Sequence, residues 1–278
     1  LNRLFPKGKK YVRTRSVENI IDELIIAKNT HKKLVFIHFY DEIFPNSLDW
    51  VDKFVEEYKK HINLPFTIWG HPKMIKRDVI AKLKTVGLVE VIMGIQSGSP
   101  YIRSEIFHRY ETQEDIINAT KILAEEGIFW TTYDFMLCHS FETVETIKET
   151  YELVKQLYPP FELQLHGLNF LPGTDIVKMA IDAGYYTEEE MNAIMYAPMR
   201  EQFGAYWQRK CEDEMNLWYM MIYLLQYKST RSKIEKFEMD VGSHKNEIVE
   251  LYNKALKLDK LRYFYKKSRI VLKRVSKG

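Results

Sequence analysis

The sequence predicts an α/β fold built on parallel strands, and two observations lead to that prediction. Between Ser16 and Gly184, short apolar segments alternate with amphipathic helical segments at a repeat of about 30 residues. The first apolar segment, Leu34–Phe39, is apolar almost throughout, as is typical of a parallel strand covered on both faces. Right-handed crossovers of this length close into a barrel or build an open doubly wound sheet, and the spacing alone leaves both open.

The individual elements follow from apolar spacing and from signals at their ends. Ser16 is a candidate N-cap, because Val17, Ile20 and Ile21 begin a helical repeat of apolar residues behind it. Gly127 closes a later helical segment in the same way that glycines commonly end helices. The predicted strands are residues 34–39, 65–69, 89–93, 128–137 and 162–170. The predicted helices in this region are residues 17–25, 48–58, 73–84, 113–126, 143–157 and 174–183.

The pattern changes beyond Tyr185, where strand-like segments give way to helical ones. Helices are predicted over residues 188–195, 212–227 and 245–275. We therefore expect a core domain over residues 1–186 and a helical C-terminal region over residues 187–278. The C-terminal end is basic, which fits a solvated helical tail or a patch facing phosphates or a membrane. Its basic residues are Lys266, Lys267, Arg269, Lys273, Arg274 and Lys277.

Composition excludes several classes of protein. Apolar residues make up 46% and charged residues 28% of the chain, and the net charge of +3 is too small to indicate nucleic-acid binding. No apolar run approaches the about 18 residues of a membrane span. Two cysteines, Cys138 and Cys211, are too few for a disulfide scaffold and fit a reducing compartment. They are also too few for an iron–sulfur cluster, which needs about three or four thiolates.

Polar side chains follow each predicted strand, and in parallel folds ligands bind at these carboxyl ends. The loop Met93–Ser99 is the most informative, because its two glycines allow close backbone approach and its polar side chains suit ribose or a carboxylate. Solvated turns and helix caps are the alternative explanation for such residues. The candidates are Tyr40, Asp41 and Glu42, then His71, Gln96 and Ser97, then Arg103 and Arg109, then Leu137 through Thr143, and finally Asn169.

Several of these segments, in this order, resemble the radical S-adenosylmethionine (SAM) enzymes, and among them the cobalamin-binding branch. The resemblance spans about residues 7–186. The segments that carry it are Tyr11–Glu18, Ile37–Phe44, Tyr58–Phe66, Met93–Ser99 and Leu171–Thr174. It implies a partial TIM barrel of which this chain holds strand–helix units two to six. The family's Cys-x3-Cys-x2-Cys loop, which ligates a [4Fe-4S] cluster, belongs to unit one, so we expect a chain that begins just after it.

The resemblance also implies roles for the strand-end residues. Asp41 and Glu42, beside Tyr40, match the motif that faces the SAM amino group, and Arg109 matches a position suited to the SAM carboxylate. Gln96 and Ser97 match the segment that contacts ribose. Leu137–Glu142 matches the adenine-side motif, and Asn169 follows the next strand. No metal ligand is assigned within the chain.

The adenine-side motif departs from the family pattern. The family usually has Gly-x-Pro-Gly-Glu-Thr, whereas this chain has Cys138-His139-Ser140-Phe141-Glu142-Thr143. Both glycines and the proline are replaced, which stiffens or reshapes backbone that normally packs near adenine. We therefore expect weak SAM binding or none.

By resemblance, the parent protein uses a SAM-derived radical for methyl transfer or for a rearrangement, in a reducing cytoplasm. Its expected cofactors are SAM, a [4Fe-4S] cluster and cobalamin, with a cobalamin-binding segment ahead of this chain and an unknown substrate. This chain alone is expected to be inactive. Two alternatives stay open at this point. One is a non-catalytic binding or assembly module; the other is a metal-dependent hydrolase using His38, His71, His139 and His166.

Overall fold

The computed structural model describes residues 13–202 and 211–275, with only the helical backbone described for residues 270–275. Its centre is a five-stranded sheet in which the hydrogen-bonded neighbours follow chain order and every pair is parallel. The strands are β1 (Ile37–His38), β2 (Phe66–Gly70), β3 (Leu88–Gln96), β4 (Trp130–Met136) and β5 (Glu162–His166).

This strand order decides between the two architectures that the sequence left open. A doubly wound sheet reverses its strand order at a switch point, whereas here each crossover steps to the next strand in the same direction. The intervening helices therefore lie on one face of a curving sheet, as in a partial barrel. The α/β prediction is confirmed.

The helices of the barrel region alternate with the strands. They are α1 (Val17–Thr30), α2 (Leu48–His61), α3 (Arg77–Thr85), α4 (Gln113–Glu125), α5 (Val144–Gln156) and α6 (Asp175–Asp182). Ser16 caps α1 as expected, because its side chain accepts a hydrogen bond from the backbone N–H of Asn19. Thr112 and Thr143 begin α4 and α5 with reciprocal capping boxes.

Helices follow the barrel region. They are α7 (Glu188–Met195), α8 (Asp213–Leu224), α9 (Lys228–Ile234) and α10 (Lys245–Val275). The apolar side chains of α8 belong to the same core as the helix-covered face of the sheet. The division near residue 186 stays a prediction.

Alternate strand residues point to opposite faces of the sheet. Val91, Tyr133 and Phe135 are fully buried in the core shared with the helices. On the other face, Glu90 accepts hydrogen bonds from Thr67 and Thr132 at 2.8 and 3.3 Å. The inner face of the partial barrel is thus polar, and Lys266 of α10 reaches across to form an ion pair with Glu90.

Several predicted boundaries differ from the structure, and three of them differ for a clear local reason. Strand 34–39 shortens to Ile37–His38, because among the described residues β1 pairs only with β2 and so lies at an edge of the sheet. The helix predicted from residue 73 begins as a separate 3-10 turn at Pro72–Met74, followed by extended backbone before α3. Strand 162–170 ends at His166, where pairing with β4 stops.

The cysteines are joined rather than free. A disulfide links Cys138, in the loop after β4, to Cys211 just before α8, across a sequence separation of 73. Counting cysteines does not predict this pairing, because proximity in space depends on how α8 packs. Within the described residues, no helix is long and apolar enough to cross a membrane.

Candidate functional site

The exposed end of β1 carries the first group of predicted site residues. Tyr40 is 79% exposed and stacks on His38, with ring centroids 4.2 Å apart. The indole of Trp69 on β2 donates to His38 Nε2 at 3.0 Å, so this nitrogen is unprotonated, and burial lowers the pKa of His38. Asp41 and Glu42 follow on exposed backbone. The end of β1 therefore presents the carboxylates of Asp41 and Glu42 to solvent beside the stacked rings of His38 and Tyr40.

Arg109 lies at the ends of β2 and β3, and its side chain is held by two partners. Its Nε donates to Glu111 Oε1 at 2.6 Å, and its Nη2 donates to the carbonyl oxygen of Gly94 at 2.9 Å. His71, which follows β2, places Nε2 at 3.5 Å from the second oxygen of Glu111. The guanidinium is therefore oriented by buried partners while 24% of the Arg109 side chain stays exposed.

Glu111 is the residue that makes this arrangement rigid. Burial opposes its ionisation, but hydrogen bonds from His71 and Arg109 outweigh burial and hold its pKa at about 2. The carboxylate is thus charged at neutral pH and cancels one positive charge at the site. Sequence reasoning missed Glu111; its place two residues after Arg109 in the loop ahead of α4 was the available signal.

The loop after β3 is built differently from the expectation. Ser97 and Ser99 are fully buried, and the Ser97 hydroxyl accepts the backbone N–H of Ser99 at 3.1 Å. A Cβ on Gly98 would lie 2.2 Å from Thr150 Cα. The idea that Gly98 makes room for a ligand is therefore wrong, because α5 fills that space. Gln96, at φ 72°, is the last residue of β3 and is partly exposed.

The loop after β4 is closed and buried. Leu137, Cys138, His139 and Glu142 are each at most 6% exposed. The backbone N–H of Cys138 donates to Glu142 Oε2, whereas Glu142 Oε1 and His139 Nε2 are buried and have no hydrogen-bond partner among the described residues. Burial raises the pKa of Glu142 to about 8 and lowers the pKa of His139 to about 4. Both side chains are therefore mainly neutral at pH 7.

The ends of β4 and β5 meet on the inner face. His166 Nε2 lies 3.9 Å from Asp134 Oδ1, and both residues are less than a tenth exposed. Asn169 follows three residues later and is partly exposed. The predicted strand-end residues thus occupy the carboxyl edge of the sheet. There Arg109 binds the carbonyl oxygen of Gly94, two residues before Gln96, and Ser97 and Leu137 are buried.

The described residues hold no set of side chains that could bind the metal ion of the metal-dependent hydrolase alternative. Within residues 13–202 and 211–275, no three histidine, cysteine or carboxylate side chains converge on one point. His38, His71 and His166 each contact a different partner: Trp69, Glu111 and Asp134 respectively.

Comparison with known proteins identifies a family. The sequence model described as the Radical SAM superfamily matches residues 4–154, more than half of the 278 residues. No match was found among curated proteins.

Two solved structures share the fold. The chain resembles "Cobalamin-dependent S-adenosylmethionine radical enzyme OxsB with aqua-cobalamin bound" at 13% identity and a TM-score of 0.58, over 91% of this chain and 42% of that chain. It also resembles the radical S-adenosylmethionine methyltransferase TsrM from Kitasatospora setae, with tryptophan substrate and a SAM analog bound. That likeness has 19% identity and a TM-score of 0.50, over 62% of this chain and 34% of that chain. The chain thus spans less than half the length of either structure.

Proposed function

Because the chain belongs to the radical SAM superfamily, we propose that it supplies the SAM-binding edge of a cobalamin-dependent radical SAM enzyme. The observation that carries the proposal is Arg109, a partly exposed guanidinium fixed by Glu111 and Gly94 at the carboxyl edge of the parallel sheet. A positioned guanidinium there suits a carboxylate ligand, since Arg binds carboxylates through paired hydrogen bonds.

The other exposed groups at this edge complete a recognition set for SAM. Asp41 and Glu42 carry the negative charge that an ammonium group requires, and Tyr40 presents an exposed aromatic face beside them. The Gln96 amide offers both a donor and an acceptor for ribose hydroxyls. Ser97 acts indirectly in this proposal by shaping the loop, and Leu137, Glu142 and Asn169 border the adenine side.

The cluster and cobalamin need residues from outside this set. The two cysteines of the chain are bonded to each other, so the chain's own residues do not fit a [4Fe-4S] cluster. In the superfamily, that cluster supplies the electron that cleaves SAM to a radical. We propose that this chain binds and orients SAM only, and that a Cys-x3-Cys-x2-Cys segment and a cobalamin-binding segment belong to the parent protein outside this chain.

The finer parts of the proposal concern the reaction and its setting. The full protein would carry out radical methyl transfer or a rearrangement on an unknown substrate, as a transferase or a related enzyme. It would do so in a reducing cytoplasm, because exposed clusters are readily oxidised. The chain by itself is proposed to be inactive.

Saturation-transfer NMR with SAM tests the proposed binding role, because this method detects weak ligands. We expect transfer to the methionine and ribose protons, at an affinity in the millimolar range, and loss of the signal in Arg109→Met. Arg77→Met is the matched control, since Arg77 binds Glu125 and Glu126 on the exposed helical surface. Equal signals in the wild type and Arg109→Met would contradict the proposal. Micromolar affinity in calorimetry without iron would contradict the expected weakness.

A further inference from the structure

The disulfide joins the predicted adenine-side loop to the C-terminal helical region. Cys138 is 3% exposed in the loop after β4, whereas Cys211 is partly exposed just before α8. α8 in turn packs on α5, the helix that begins after the same loop. The disulfide therefore ties the loop after β4 to the start of α8, and α8 packs on α5, the helix that follows this loop.

Cys138 occupies a backbone conformation that cysteine disfavours. Its φ is 58°, in the left-handed region where a Cβ crowds the following carbonyl and where glycine is the usual residue. A non-glycine residue persists there only when its surroundings hold it. Two restraints do so here: the bond to Cys211 and the hydrogen bond from the Cys138 N–H to Glu142.

The bonded loop hides its polar groups. Glu142 and His139 are each 6% exposed, and within the part of the chain that the structure describes, Glu142 Oε1 and His139 Nε2 have no hydrogen-bond partner. Buried polar atoms without partners cost stability. Movement of this loop towards solvent would satisfy both atoms. It would also separate His139 from Phe107, whose ring centroid lies 5.3 Å away in the segment just ahead of Arg109.

We propose that Cys138–Cys211 is a reversible redox modification site that latches the β4–α5 loop shut when oxidised and lets it open when reduced. Its effect on SAM binding rests on the proposed function, whereas the latch itself does not. Radical SAM chemistry requires reducing surroundings, and in this proposal the same surroundings reduce the disulfide and open the loop.

The chemistry is ordinary thiol–disulfide exchange with a dithiol. A thiolate of the dithiol attacks the partly exposed Cys211 sulfur, the S–S bond breaks, and Cys138 leaves as a thiolate that takes up a proton. The second thiol of the dithiol then displaces Cys211 from the mixed disulfide. Two electrons and two protons pass to the cysteines, and the dithiol becomes a disulfide.

Hydrogen-exchange mass spectrometry tests the latch without reference to any ligand. The full chain is compared as the purified disulfide form, confirmed by thiol alkylation, and after treatment with dithiothreitol. We expect peptides covering residues 138–142 to exchange at least fivefold faster after reduction. Cys211→Ser, which changes the less buried partner, should show the fast rate without reductant. Equal rates in the oxidised, reduced and Cys211→Ser proteins would overturn the proposal.

Adding SAM separates the latch from the proposed function. We expect the reduced protein and Cys211→Ser to bind SAM at least fivefold more tightly than the oxidised protein. Faster exchange with unchanged SAM affinity would overturn the gating role of the latch. Faster exchange with no detectable SAM binding in either form would support the latch and contradict the proposed function instead.

Discussion

The guanidinium of Arg109 donates to the buried carboxylate of Glu111 at 2.6 Å, and this pair joins the ends of β2 and β3. His71 contacts the same carboxylate from the loop after β2. A charged group at the mouth of a parallel sheet is therefore fixed by partners from two neighbouring loops. Rigid placement of this kind is what a binding arginine requires, because less side-chain freedom is lost when the ligand arrives.

Glu111→Gln is expected to change how stability depends on acid. The folded-state pKa of Glu111 is about 2, below its ordinary value of 4.5. The stability it contributes is therefore present above pH 4.5 and lost as the pH falls from 4.5 towards 2. Urea denaturation at pH 7 and pH 3 measures this. We expect the variant to lose roughly 2 kcal/mol at pH 7 and much less at pH 3. An equal loss at both pH values would contradict the assignment.

Gly98→Ala is expected to destabilise the protein through a clash with α5. The added Cβ would lie 2.2 Å from Thr150 Cα and 2.7 Å from the Glu149 carbonyl oxygen, both of them backbone atoms. A cost of about 2–4 kcal/mol is typical of such overpacking. Gly242→Ala is the control, because its Cβ would lie at an ordinary contact distance of 3.5 Å from Asp240 Oδ1, a flexible side-chain atom. Thermal melts compare the two, and similar melting temperatures would show that the loop yields freely.

Glu142→Gln is expected to stabilise the protein at mildly alkaline pH. Burial raises the pKa of Glu142 to about 8 from its ordinary value of 4.5. The folded protein therefore favours the protonated carboxyl group. The free energy of unfolding falls as the pH rises from 4.5 through 8, because folding then requires this group to stay protonated or to be buried as an anion. Glutamine keeps an acceptor for the Cys138 N–H without this penalty. Urea denaturation gives the free energy of unfolding of both proteins at pH 5.5 and pH 8.5. From the lower to the higher pH, this free energy should rise by roughly 2 kcal/mol in the variant relative to the wild type. A constant difference would refute the raised pKa.

Lys266→Met is expected to leave Glu90 buried without its cation. Lys266 reaches Glu90 on the inner face and lies 4.7 Å above the Trp130 ring centroid. Removing one partner of a buried pair costs about 3 kcal/mol, and a second substitution, Glu90→Gln, should restore most of it. Lys267→Met serves as the control, since Lys267 is exposed. The absence of any rescue in the double variant would show that the pair is not coupled.

Local signals predicted most of the fold correctly. The N-cap at Ser16 and the helix 188–195 depend on nearby residues, and the structure has both. Strand order could not be derived from spacing, because consecutive parallel strands and doubly wound sheets share the same local pattern. The resemblance to a family supplied that choice.

The site was predicted less completely, because its geometry depends on contacts between distant segments. The pairing of Arg109 with Gly94 and the packing of Gly98 on Thr150 join residues far apart in sequence. The loop Met93–Ser99 has the residue types of a ligand loop, yet its serines bind its own backbone and α5. The pairing of Cys138 with Cys211 has the same origin.

Amide chemical-shift changes on adding S-adenosylhomocysteine map where this ligand contacts the protein. With dithiothreitol present, we expect changes at the strand ends, centred on Asp41, Gln96 and Arg109, and none in the cleft beside Trp218 and Lys245. Changes confined to that cleft, or a spectrum unaltered at millimolar ligand, would contradict the claim that this edge binds SAM.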